Sequence, residues 1–407
     1  MNKTSCLLSI LFLFIPFMLY AQGEGAIPIL ELNPSPQSMG LAESGVSTTI
    51  NEPLGSYYNP AILGYSSQTN SLGFQTYTTQ PDWLGYHQMT LKTSAFSIGY
   101  NFGNVSNDMN ISAGFGYSNF KLDFGNFLNS QLHPFDSYDK YDAYSLGVSF
   151  DYSVNLSFGI NYKKIESVLG SNSQNPSTVK LDAIDWGILL NVPVSKLAFE
   201  DYKYRLTDND ELKPIVNFSL GYSRSNIGKE VVYIDPSQAD PLPLMARLGY
   251  TLSLGVDMKF NNHSINLISD DIIVEADDIL INSSDAGWSY QGGLFGDINI
   301  GRNLLLLKAD DKVTLRKANR LCLFETLSLL NGSFFGPGWD SGRFTSGLVF
   351  STNGLFKLVG WTFNDVPAYT FIFDHLEIQY VKATVFENTQ LQTDLSSISI
   401  LLNRLAF

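Results

Sequence analysis

The chain has 407 residues, 25 Lys and Arg against 39 Asp and Glu, and a formal net charge of −14. This balance argues against a nucleic-acid partner, whose phosphates call for basic surface. Charged residues make up only 16 % and aromatic residues reach 13 %, so something other than water faces much of the surface.

Residues 1–21 read as a secretory signal peptide. Lys3 carries the positive charge, Leu7 to Leu19 is an apolar stretch interrupted by Pro16, and Ala21 precedes the expected cut. The stretch is short for a hydrocarbon core of ~30 Å, which disfavours an uncleaved anchor. Cys6 precedes the apolar stretch, so a lipid-modified N-terminus does not fit either. Loss of Lys3 takes the mature charge to −15 and leaves Cys322 as the single thiol, so no intrachain disulfide is expected. No later apolar run reaches ~18 residues, and a mature chain that crosses a membrane must then do so as a barrel.

Residues 22–67 contain Pro28, Pro34, Pro36, Pro53 and Pro60 and little alternation, which makes a poor strand series. A segment of this length is expected to sit as a plug in a barrel mouth. Within it Asn59, Pro60 and Ala61 read as a helix start, with Asn59 as N-cap and Pro60 in the first turn. Their role is either structural or that of a plug element whose shift opens a lumenal path.

Residues 68–407 read as the barrel. Between Tyr144 and Tyr162 every second residue is apolar, and those between are mostly Ser, Gly and Asn. This is strand periodicity, and one strand of that length would reach about 65 Å at ~3.4 Å per residue, so it is read as a hairpin. Unbroken parity requires an odd number of turn residues, most simply Asp151, Tyr152 and Ser153. A large apolar face opposite a small polar one suits lipid outside and a polar lumen inside. Similar alternation recurs at Phe96–Phe102, Val216–Tyr222 and Leu248–Phe260. Between Ile111 and Phe124 the parity switches near Ser118 and Asn119, as at a bulge. The count gives an all-β fold, a transmembrane antiparallel β-barrel of about 14 strands, with polar stretches at 126–140, 168–177, 199–213, 228–243 and 270–286 expected as extracellular loops.

The order Met39-Gly40-Leu41-Ala42, Asn51-Glu52-Pro53 and Tyr57-Tyr58-Asn59-Pro60-Ala61 resembles the start of FadL-like outer-membrane barrels, particularly the PorV/PorQ branch. A second stretch resembles the same branch: Leu220 to Gly228, with an Asn226-Ile227-Gly228 turn, then Asp240-Pro241-Leu242-Pro243 and Arg247-Leu248-Gly249. The resemblance implies about fourteen strands and an N-terminal plug. It implies either transport of hydrophobic compounds, as in FadL-type proteins, or binding and presentation of exported proteins beside the type IX secretion translocon, as in PorV-type proteins. Phe407 ends the chain as the insertion signals of such barrels do, although Leu405, Asn403, Leu401 and Ser399 break the apolar pattern behind it.

His87, His133, His263 and His375 are far apart and lie in no nucleophile or metalloprotease motif, so no catalytic residue is assigned and the protein is read as a non-enzyme. Asp270, Asp271, Glu275, Asp277, Asp278 and Asp285 lack the glycine-containing spacing of a calcium loop and read as a solvated loop, with no metal site and no cofactor. The expected partners are outer-membrane lipid, the barrel assembly machinery and one of two cargoes. The first reading is docking of secretion translocon components and exported proteins; the alternative is a channel for hydrophobic ligands such as fatty acids.

Overall fold

Alternating segments become strands because each buries small inward side chains while presenting apolar ones outward. The computed structural model describes residues 25–83, 88–106, 109–129, 132–170, 177–199, 202–207, 210–260, 263–284, 287–337, 342–360 and 367–405. The wall strands are β1 (Ser71–Thr79), β2 (Thr90–Ser106), β3 (Met109–Leu128), β4 (Pro134–Tyr152), β5 (Val154–Leu169), β6 (Ser177–Val192) and β7 (Asp210–Gly228). They continue as β8 (Met245–Phe260), β9 (His263–Ile279), β10 (Val313–Leu323), β11 (Leu327–Phe335), β12 (Arg343–Ser351), β13 (Leu376–Val385) and β14 (Thr393–Leu402). Each pairs antiparallel with its sequence neighbours, β6 pairs with β7, and β1 pairs with β14 through Leu72↔Leu402 to Thr76↔Ile398. Fourteen strands therefore close on themselves, as the alternation count predicts, and closure leaves no open edge.

The β4–β5 hairpin shows the two faces. Phe158 is 42 % exposed outward while Ser157 is fully buried inward. Tyr152 pairs with Val154 and Asp151 with Asn155, which centres the turn on Ser153 at φ +63° rather than on Tyr152. The odd parity stands and the turn moves by one residue.

The expected bulge at Ser118–Asn119 is absent: β3 pairs in register with both neighbours there, and its irregularity lies at Asp123–Gly125. What changes along β3 is the environment. Inward residues pass from Gly114 and Gly116 to the buried Phe120 and Leu122, while outward ones pass from Phe115 and Tyr117 to Asn119 and Lys121. The loop end of the barrel is thus apolar inside and polar outside, the reverse of its lower half.

Connections at one end are short, such as Ser153 and the residues 324–326. Two connections at that end are longer: the one between β6 and β7, with a helix at Val194–Ala198, and the one between β12 and β13, with helices at Asn353–Gly360 and Pro367–His375. The described part of the stretch 199–213, expected as an extracellular loop, therefore lies at this turn end, because β6 runs toward it, and Asp210 onward already belongs to β7. The stretch 126–140 is mostly strand, and 270–286 is largely β9. At the loop end, residues 287–312 fold back over the outer face, where Phe295, Ile298 and Leu304 cover Tyr222, Leu248 and Val274.

Candidate functional site

Residues 25–70 lie inside the ring of strands, and 33 to 48 are buried without a break. Ser35 and Pro36 start a short helix, Pro36–Gly40, with Ser35 Oγ accepting from Ser38 N at 3.1 Å. The same hydroxyl donates to Glu52 Oε1 at 2.5 Å, and Gln75 of β1 donates to Glu52 Oε2 at 3.1 Å. A second helix, Ala61–Ser66, begins one residue later than the sequence suggests: Pro60 occupies the N-cap and Asn59 precedes it. Asn59 still orders the start, its Oδ1 accepting from Ala61 N at 3.0 Å. Its amide also reaches beyond the helix, donating to Val46 O at 2.7 Å and to Ile188 O of β6 at 3.0 Å.

Glycines make this close approach possible. Gly99, Gly114, Gly147, Gly159 and Gly187 stand directly opposite one another across β2 to β6. A Cβ on Gly147 would lie 2.3 Å from Gly64 N, on Gly159 2.2 Å from Pro60 C, and on Gly187 2.1 Å from Asn59 Oδ1. The wall backbone forms a seat for residues 59–67 that no side chain could share.

Charged groups hold the rest of the segment. Arg316 of β10 bonds Asp277 through Nε at 2.5 Å, and its Nη1 donates to Glu43 Oε2 and Ala42 O, both at 2.9 Å. Arg247 of β8 lies 3.3 Å from Glu275, whose other oxygen accepts from Gly45 N and Val46 N at 2.8 and 2.9 Å. The Arg247 guanidinium lies 3.7 Å from the centre of the Tyr58 ring. The expectation of a solvated acidic loop is corrected here. Asp271, Glu275 and Asp277 point into the lumen from β9, each paired with an arginine. Buried charges require such partners. Sequence reasoning missed the partners, although Arg247 shares the polar-face parity of Gly249, Thr251 and Ser253.

A third group sits toward the loop end. Lys163 pairs with Asp185 at 2.9 Å and donates to Asn226 Oδ1 at 2.9 Å. Asn226 donates from its backbone N to Asp185 and from Nδ2 to Leu30 O and Pro243 O. The Asn226-Ile227-Gly228 stretch is no turn: β7 runs on to Gly228, and Asn226, at φ +63°, marks a bulge against β6. Gly228 admits Leu242, since a Cβ there would lie 2.7 Å from Leu242 Cδ1. Asp240 bridges Val231, Pro241 O accepts from Ala26 N at 2.8 Å, and Pro243 packs on Gly25. The second resemblance stretch thus grips Gly25, Ala26 and Leu30, ahead of the first. Glu31 lies in this region, and burial, reinforced by the nearby Glu43 carboxylate, pushes its carboxyl up to about 7.

Toward the loop end the segment meets the wall through apolar contacts: its Ile29, Leu30, Leu54 and Tyr57 pack with Leu91, Phe120, Leu122 and Tyr141 of the wall. Phe124 packs against this cluster and also lines an open apolar cleft of about 390 Å3 with Met89, Phe127 and Leu169. The signal peptide, His87 and Phe407 lie outside the described residues.

No protein-family model and no curated protein matches the sequence. Among solved structures, the toluene transporter TbuX of Ralstonia pickettii is 11 % identical, with 91 % of this chain and 98 % of that one covered and a TM-score of 0.39. The Pseudomonas putida toluene transporter TodX gives 14 %, 94 % and 98 %, and 0.38. The β domain of the Bordetella autotransporter BrkA lies at a similar level, with 8 %, 83 % and 98 %, and 0.35. Barrels of unrelated cargo score alike, so these likenesses do not assign a cargo.

Proposed function

We propose that this chain is an outer-membrane barrel of FadL type through which hydrophobic small molecules pass, with residues 22–67 as its plug and Asn59, Pro60 and Ala61 as part of the plug's seat. The observation that carries this reading is the apolar cleft at the loop end, joined through Phe124 to the apolar interior layer. A water-filled pore has a polar lining, and a cleft lined by Met89, Phe124, Phe127 and Leu169 instead suits an apolar solute. The outward belt that includes Phe96, Phe115, Leu146 and Leu254 supports lipid as the surrounding medium. The test is binding of a fluorescent long-chain fatty acid to the protein in nanodiscs, compared with Phe124→Asp. Binding by the parent and at least about tenfold weaker binding by the variant are expected, since the substitution sets a charge in the cleft. Equal binding by both, or none by the parent, refutes the reading.

Docking in type IX protein export remains a second reading, favoured by a lumen filled with the chain's own segment, which leaves the loops to carry recognition. Co-purification of translocon components or exported proteins with the detergent-extracted barrel, without bound lipid, supports it over the channel.

A further inference from the structure

At the turn end of the lumen, away from the apolar cleft, β9 to β13 enclose a separate cavity of about 220 Å3. It is polar. Asn266, Arg320, Cys322, Glu325, Glu377 and Gln379 line it. Gln379 is only 9 % exposed, and its Oε1 is buried without a hydrogen-bond partner. The amide cannot turn to relieve this, because its Nε2 donates to Glu377 Oε1 at 2.7 Å. Asn266 repeats the pattern, with Nδ2 bound to Asp257 at 3.1 Å and Oδ1 left over. Both leftover groups are acceptors.

The charges do not cancel either. Arg320 is 3.4 Å from Asp271, and Lys357 neutralises Glu325. Glu377 accepts from Ser351 Oγ, Gln379 Nε2 and Asn403 Nδ2, all neutral donors, so one negative charge remains uncompensated among the described residues. Among the described lining groups, Arg320 Nε is the one donor that is both fully buried and without a partner.

We propose that this cavity binds a small primary ammonium ion carrying a hydroxyl group. The ammonium supplies N–H donors to Glu377, Gln379 Oε1 and Asn266 Oδ1, and the hydroxyl accepts from Arg320 Nε. The site shares no lining residue with the apolar cleft, and Glu377 is joined to the N-terminal segment through Asn403, which accepts from Asn51 Nδ2 at 3.3 Å.

Cys322 lines the cavity and reports on it. The full mature protein in detergent is treated with a trimethylammonium-bearing and a sulfonate-bearing methanethiosulfonate, and the rate of Cys322 modification is read by mass spectrometry. The cationic reagent is expected to react about tenfold faster, as one unpaired carboxylate at close range implies. Millimolar ethanolamine is expected to slow both reagents, whereas trimethylamine N-oxide, which offers no N–H donor, does not. Glu377→Gln should remove both the preference and the protection while heat-modifiable migration is kept. Equal rates for the two reagents, or no protection by ethanolamine, overturn the proposal and leave the cavity to water; these two readings need no variant to fold.

Discussion

Replacement of Arg316 by Met tests whether charge pairing, rather than the apolar layer, keeps the N-terminal segment seated. Arg316 is the only cation bonded to both Asp277 and Glu43 among the described residues, and all three side chains are at most 10 % exposed. Met keeps most of the volume but leaves two carboxylates facing one space and Ala42 O without its donor. Loss of one member of a buried charge group costs about 3–5 kcal/mol, a factor of roughly 10² to 4 × 10³ in an equilibrium. The wall is closed by its strand ladders, so relief comes from release of Glu43 with its segment into water. Protease access to residues 25–67 and single-channel conductance should both rise, while heat-modifiable migration persists. Adding Glu43→Gln should return at least half of the lost protection, because the segment then sets no carboxylate against Asp277. Equal protection in parent and Arg316→Met, or unfolding of the wall in single and double variants alike, refutes the reasoning.

Gly159→Val places a Cβ where Pro60 C already lies within 2.2 Å, so the Ala61–Ser66 helix should leave its seat; a strand tolerates Val, and raised conductance with unchanged heat-modifiability is expected. Seating should also weaken with pH. The Glu31 carboxyl, at about 7 in the folded chain against 4.5 ordinarily, makes the seated state bind the extra proton between those values. Its contribution is fully present below about pH 4.5, is lost as pH rises to about 7, and amounts to roughly 3 kcal/mol at most. Protease protection of residues 25–67 should be greater at pH 5 than at pH 8 and lose this dependence in Glu31→Gln; protection that rises with pH would contradict the assignment.

Strand identity, face and number were legible in the sequence because period-2 alternation is local: Tyr144 to Tyr162 declares its lipid side without reference to any other strand. Closure at fourteen strands follows from the same count. The lumen was not legible in this way. Gly147 and Gly159 read as bland polar-face residues, and only cross-strand register joins them with Gly187 into one seat. Asp271, Glu275 and Asp277 read as a solvated loop because a carboxylate's partner decides its meaning, and Arg316 reaches Glu43 across 273 residues. The parity switch in β3 read as a bulge because sequence records which residues alternate, not what each face touches. Residues on one strand fix its direction and its two sides; what fills the inside depends on distant segments meeting there, a non-local condition that only the closed barrel imposes.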